Sequence, residues 1–363
     1  MKSVSFSGQV LYYRLFDVGS EIDLGLASQC LHNNLKPFQL QKNIRRLIMG
    51  VTPLVVDMGQ WSQVVFDSTV DIQAIGKIWP FGCISIQLRL YMSDRCSIDK
   101  MKSLASYLEN DTSLHQLTLH KVNGLVETLK SAIKNLEMWE HYEDYLIFKL
   151  APSEISTENI QAWLTSNDLY QLILADPGPN VSEQMIKPIR EHVFQYTNND
   201  LVVLDWNSAF IASLEDSFDL ADVIEFALCQ LLELRYYDDL LDKKLSTLYR
   251  SIDKAEPSLF SNFYGQKARE ASLIYIDISE IIEKIETSVK VIGDFYYAKI
   301  FRAAMSRFDV KSWQQSVDNK LKNLVEVSML FQSQINEKRN QFLEIVIILL
   351  IALEMIPLIS KLF

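Results

Sequence analysis

A chain of 363 residues with 48% hydrophobic and 22% charged side chains has room for two or three domains and a sizeable core, and its composition excludes a disordered protein. A formal net charge of −11 sets its surface against a phosphate backbone and argues against direct nucleic-acid binding. The short basic run from Lys42 to Leu47 reads as the solvated face of one helix. The cysteines, Cys30, Cys83, Cys96 and Cys229, form no CxxC pair and read as buried, inert thiols in a reducing compartment. The N-terminus has no apolar leader core and carries Asp17 and Glu21 early, so neither a secretory signal nor a transit peptide is expected.

In chain order, the β-branched and aromatic stretch GQVLYYRLFDVG predicts a strand, and Asp23 is placed to cap the helix that follows. TPLVVDMG predicts a short strand. Residues 70–79 and 83–91 predict a hairpin turning on Pro80-Phe81-Gly82. Helical period returns in DKMKSLASYLEN and LVETLKSAIKNLEMW, EDYLIFKLA is again strand-like, and ENIQAWLTSNDLYQLILA is helical. The loop DPGPN, residues 176–180, precedes two strands, 193–196 and 201–206, with SAFIASL returning as a third. No GxGxxG or GxxxxGK[ST] occurs, so no phosphate-cradling loop is expected. The fold class is α+β: an N-terminal mixed strand and helix region with antiparallel hairpins, then a long-helix bundle or coiled coil, then a hydrophobic helix.

From about residue 216 the pattern is helical throughout, with apolar residues at three- and four-residue steps and a break at SNFYG. Gly293 marks a kink, and Val317, Leu321, Leu324, Ser328, Phe331, Ile335 and Phe342 approximate a heptad seam. This gives domains of 1–215, 216–341 and 342–363.

The last segment is the most informative. Residues 342–363 are apolar apart from Glu344, Glu354 and Lys361, and 22 helical residues reach about 33 Å against the ~30 Å hydrocarbon core. Glu354 would sit deep, at a cost of about 2–3 kcal/mol on insertion scales, which the apolar run from Ile345 to Leu353 offsets. Lys322, Lys338 and Arg339 precede the span, which keeps the bulk of the chain on the cytoplasmic face of an inner membrane. A helix buried in the bundle or at a subunit interface, and one lying in the membrane surface, stay open as alternatives.

Candidates for chemistry are weak. Glu233, Asp238, Asp239 and Asp242 form an acidic run on one helix, and the plain reading is ion pairing with Arg235 and Lys243. Asp205, at a strand end before Trp206 and Asn207, reads as a turn or cap. His32, His115, His120, His141 and His192 match no metal-binding spacing, and no serine sits in GxSxG. Neither a metal nor a cofactor is expected, and the balance is against an enzyme.

Over about 190–357 the chain resembles the "required for meiotic nuclear division" family, a domain of unknown function, as a distant bacterial-type member. The resemblance rests on VFQYTNNDLVVLDW, on LLELRYYDDLLDKKL, and on an ending with Arg339, Leu343, Glu344, an Ile/Leu run and Glu354. It implies a C-terminal membrane segment, self-association and no catalytic residues. The resulting expectation is a tail-anchored, homo-oligomeric scaffold with Arg339, Glu344 and Glu354 at the anchor or subunit contact. A soluble homo-oligomer with its C-terminal helix buried is the second reading, and an enzyme using the acidic run is the third.

Overall fold

The structure, a computed structural model, describes residues 5–31, 35–36, 52–66, 68–175, 181–215, 217–253, 262–289 and 295–359, with the side chains of 93–94, 252–253, 285–289 and 354–359 left aside. The basic run at 42–47, His32, Gly293 and the 176–180 loop lie outside the described residues.

The N-terminal half alternates strands and helices. β1 (Ser5–Asp17) and β2 (Glu21–Ile22) lead to α1 (Leu24–Cys30), then β3 (Leu35–Lys36), β4 (Leu54–Val65), β5 (Ser68–Ile78) and β6 (Cys83–Ser97). Next come α2 (Ile98–Glu109), α3 (Thr112–Leu129), β7 (Ile133–Lys134) and β8 (Tyr142–Leu150). After them stand α4 (Thr157–Thr165), α5 (Asn167–Ile173), α6 (Glu183–Arg190), β9 (Val193–Phe194), β10 (Leu201–Leu204) and β11 (Ser208–Ala212). The chain then turns helical: α7 (Asp219–Asp253), α8 (Phe263–Val289), α9 (Phe295–Arg307) and α10 (Val310–Ile359). The α+β class is therefore as expected.

Nine strands form one sheet in the order β3-β4-β5-β6-β1-β8-β11-β10-β9. Every adjacent pair is antiparallel except β8 and β11, which run parallel with Leu146 opposite Ser208. The helix starts follow from side-chain caps. Asp23 accepts from the backbone N–H groups of Gly25 and Leu26 at 2.8 and 3.0 Å, and Asp111 accepts from Leu114 N–H at 2.7 Å. Ser166 both ends α4 and caps α5, so the single helix read over 158–175 is two. The predicted helix through Trp139 stops at Leu129 because Ile133 and Lys134 pair instead with Ile22 and Glu21. In the β5–β6 turn, Gly82 has φ 106°, and a Cβ there would lie 1.8 Å from the Gly19 carbonyl, so only glycine fits.

Two compact units emerge: residues 1–236 with 284–311, and residues 237–283 with 312–363. In the first, strand alternation divides the sheet into two unlike faces. Val10, Tyr12, Ile84, Ile86, Leu88 and Phe148 join one apolar core with Met101, Leu104, Val122 and Leu125 of α2 and α3. The opposite face carries Tyr13, Asp17, Lys77, Cys83, Ser85 and Gln87, and the N-terminal part of α7 lies on it. In the second unit, Tyr264 of α8 packs against Phe331 of α10 with ring centroids 6.1 Å apart. Val317, Leu321, Leu324, Val327 and Phe331 are buried. The seam's polar member, Ser328, is satisfied by Ser272 Oγ at 3.1 Å and by the Ala268 carbonyl.

The transmembrane anchor, tail-anchor and inner-membrane expectations are overturned. Among the described residues no helix is long and apolar enough to cross a membrane. The eighteen described residues of α10 ending at Leu353 include four charges, Glu337, Lys338, Arg339 and Glu344. The cytoplasmic-face placement, which rested on the same span, falls with it.

Candidate functional site

Two features could carry function: the polar face beneath α7 and the end of α10. On the first, Lys77 is fully enclosed and donates to Asp222 Oδ1 at 2.7 Å and to Glu225. The two carboxylates outweigh burial and hold the ammonium above its ordinary range, while burial raises Glu225 against the pull of Lys77. Cys83 and Cys229 lie beside this triad with sulfurs 3.5 Å apart, and burial raises both thiols.

Further along α7, Asp17 of β1 meets Glu233. Both are fully buried, and desolvation raises both carboxyls well above the ordinary range, with Asp17's charge adding to the rise at Glu233. One carboxyl therefore keeps a proton that the other can accept. Glu143 on β8 pairs with Arg235, yet burial still lifts it to about 7. This is a dense set of titratable groups, and it is sealed: Asp17, Lys77, Glu225 and Glu233 are each at most 3% exposed. Its chemistry is cohesion between helix and sheet, because a reacting group must reach its substrate.

The predicted acidic run does not come together. Glu233 joins Asp17. Asp238 and Asp242 do share a face, and both hold Lys320 Nζ, at 2.8 and 2.6 Å. Asp239 pairs with Lys243 at 2.7 Å, and Arg235 reaches Glu143 on β8. Among the described residues no group of three or more His, Cys, Asp or Glu could hold a metal ion. His115 stacks near Tyr142 and His192 bonds the Pro188 carbonyl, far apart in role. The reading of four buried thiols is corrected: Cys30 is exposed, and Cys96, although packed against the core, is only half-buried.

Asp205 is a buried anchor. Arg307 donates to its Oδ1 at 2.8 Å through Nε, and Tyr145 Oη donates to the Asp205 and Ser208 carbonyls. Replacing Asp205 with Ala is expected to cost about 1–3 kcal/mol, since it strands a partly buried guanidinium. Urea unfolding checks this, and an unchanged midpoint would contradict the anchoring role.

At the end of α10, Arg339 and Glu344 are exposed and Glu354 lies where side chains are not described. Between them the helix is bare: Ile347, Ile348, Leu349, Leu350, Ile351 and Leu353 are each 56–61% exposed. The buried seam ends at Phe331, where α8 begins opposite it at Tyr264, and α10 continues past that point. The C-terminal helix is thus not covered by the described helices of its own bundle.

The sequence was compared with known proteins. Residues 7–219 match the family described as "Uncharacterized protein MJ0711, N-terminal domain". The chain belongs to that family. Beyond the MJ0711 domain the likeness continues, because the Uncharacterized protein MJ0711 of Methanocaldococcus jannaschii is 24% identical over 299 residues, covering 76% of this chain and 91% of that protein. No solved structure matches. What the comparisons support is an uncharacterised domain family, matched mainly N-terminal to the 190–357 stretch on which the meiotic-division resemblance was drawn. Within the MJ0711 domain, 7–219, lie the eleven strands of the described residues, save the first residues of β1.

Proposed function

We propose that the chain works as a non-enzymatic homo-oligomeric scaffold in which the end of α10 is covered by a second copy. The observation that supports this is the all-round apolar surface from Ile345 to Leu353, since a helix hydrophobic on every side is a buried helix. A second copy suits it because any face of such a helix is complementary to the same face of another, as a two-fold interface requires. Burying four Ile or Leu side chains in each of two copies returns about 12–24 kcal/mol, against an association cost of about 4–15 kcal/mol. Glu344 adjoins the run and Arg339 stands more than one turn before it, where the rim of such a contact is polar and wet. Self-association is also what the "required for meiotic nuclear division" resemblance implies, which adds weight only at the level of the finer family name.

Sedimentation of the full chain at micromolar concentration is expected to give a dimer or higher species. Ile347→Lys with Leu350→Lys, substitutions on one face of the exposed run, is expected to give a folded monomer with unchanged circular dichroism. A monomeric parent, or a double variant that associates as before, overturns the proposal.

A further inference from the structure

The tip of the β9–β10 hairpin, the β11–α7 connection and the start of α9 enclose an open cavity of about 370 Å³. All of it lies in the first compact unit. Three tyrosines supply its aromatic surface. Tyr196 and Tyr296 stand with ring centroids 5.4 Å apart and 49° between planes, and Tyr297 sets its ring at 71° to Tyr296. Tyr196 is 74% exposed, an unusual position for a large ring unless it covers something.

The charge is all of one sign. Asp200 accepts from Tyr196 N–H at 2.6 Å, from Thr197 N–H at 2.7 Å and from Tyr296 Oη at 3.4 Å, so its carboxylate is fixed at the cavity wall. Glu215 lines the other side on an exposed loop; burial, with the charges of Asp222 and then Glu215 adding to it, raises Asp219, the first residue of α7, to about 6. Lys299, one turn along α9, has its Nζ over the Phe194 ring at 5.3 Å, which shows a cation already seated on an aromatic of this hairpin.

Tyrosine faces attract cations through their quadrupole, and fixed carboxylates strengthen the attraction while repelling anions. A cavity of this volume lies at the small end of ligand sites. We infer that the Tyr196–Tyr296–Tyr297 cavity binds a small free organic ammonium ion, held against the tyrosine rings with Asp200 and Glu215 as counter-ions. Nothing in this depends on the association of α10.

Calorimetric titration of the full chain with choline and with spermidine tests it. Choline is expected to bind, while its neutral isostere 3,3-dimethyl-1-butanol binds at least tenfold more weakly. Tyr196→Ala and Glu215→Gln are both exposed and safe for folding, and each is expected to weaken choline by about three- to tenfold; sodium chloride should compete with it. Spermidine binding with the same sensitivity extends the site to primary ammonium groups. Equal binding of the neutral isostere, affinity unmoved by both substitutions, or no heat at 10 mM of either cation overturns the assignment. Titration of a lysine-rich protein that displaces choline only through Tyr196-independent contacts counts against a free-cation site as well.

Discussion

Lys77→Met is expected to destabilise the protein by about 3–5 kcal/mol, enough to abolish folding at ordinary temperature in a domain of marginal stability. The ammonium it removes is fully enclosed between Asp222 and Glu225, and methionine keeps the length of the side chain but leaves two carboxylates without a cation. Burial already raises Glu225, so the orphaned pair would take up protons, and the variant should recover stability as the solution is acidified. Adding Glu225→Gln to Lys77→Met removes one of the two stranded charges and is expected to restore about half the loss. Urea midpoints for the parent, the single variants and the double variant form the cycle. A single variant as stable as the parent would show that the triad contributes nothing net.

The melting temperature is expected to fall as pH rises from about 5 to about 8. Asp17, Glu233, Asp219 and Glu143 all have folded values above those of an unfolded carboxyl near 4, with Asp219 at about 6 and Glu143 at about 7. Between the unfolded and folded values the native state holds protons that the unfolded chain has released, so stability declines with rising pH across that window. Asp57 and Asp168 shift the other way, lowered mainly through Lys36 for the first and through Lys102 and Ser166 against burial for the second. Their contribution is lost only below about pH 4 and leaves the window untouched. Glu233→Gln replaces one buried acid with an amide that can donate to Asp17. It is expected to flatten the pH profile and to raise stability at pH 8 by about 1–3 kcal/mol. A profile equally steep in the variant would place the titration elsewhere.

Local features were legible in the sequence because they depend on neighbours. The Asp23 cap, the hairpin turning at Gly82 and the long helical tail follow from caps, turn chemistry and period. The order of the sheet was not legible, since β1 finds β6 and β8 far along the chain and β11 joins β8 in parallel. The polar face beneath α7 left a trace: Gln73, Lys77, Ser85, Gln87 and Arg89 all fall on the same alternating positions of β5 and β6. The partners of Lys77 on α7, Asp222 and Glu225, stand 145 and 148 residues away, so no window contains both halves. The run from Glu233 to Asp242 was misgrouped for the same reason. Spacing places those acids near one another on a helix but says nothing of Asp17 or Lys320, which decide where each goes. The tail misleads because its apolar run, Ile345 to Leu353, dominates the pattern, while the four charges at Glu337, Lys338, Arg339 and Glu344 stand within the same eighteen described residues of α10.

The position of β1 bears on how the protein is made. β1 leaves the ribosome well before either neighbour and ends as a central strand, flanked by β6, which closes at Ser97, and by β8, which closes at Leu150. Until both have emerged, thirteen residues rich in Val, Leu, Tyr and Phe carry two open edges. At about 5–20 residues per second that interval lasts roughly 7–27 s. The nascent chain is therefore most vulnerable to aggregation while residues 18–150 are being made, and slowing of elongation within that stretch should lower the yield more than slowing after it.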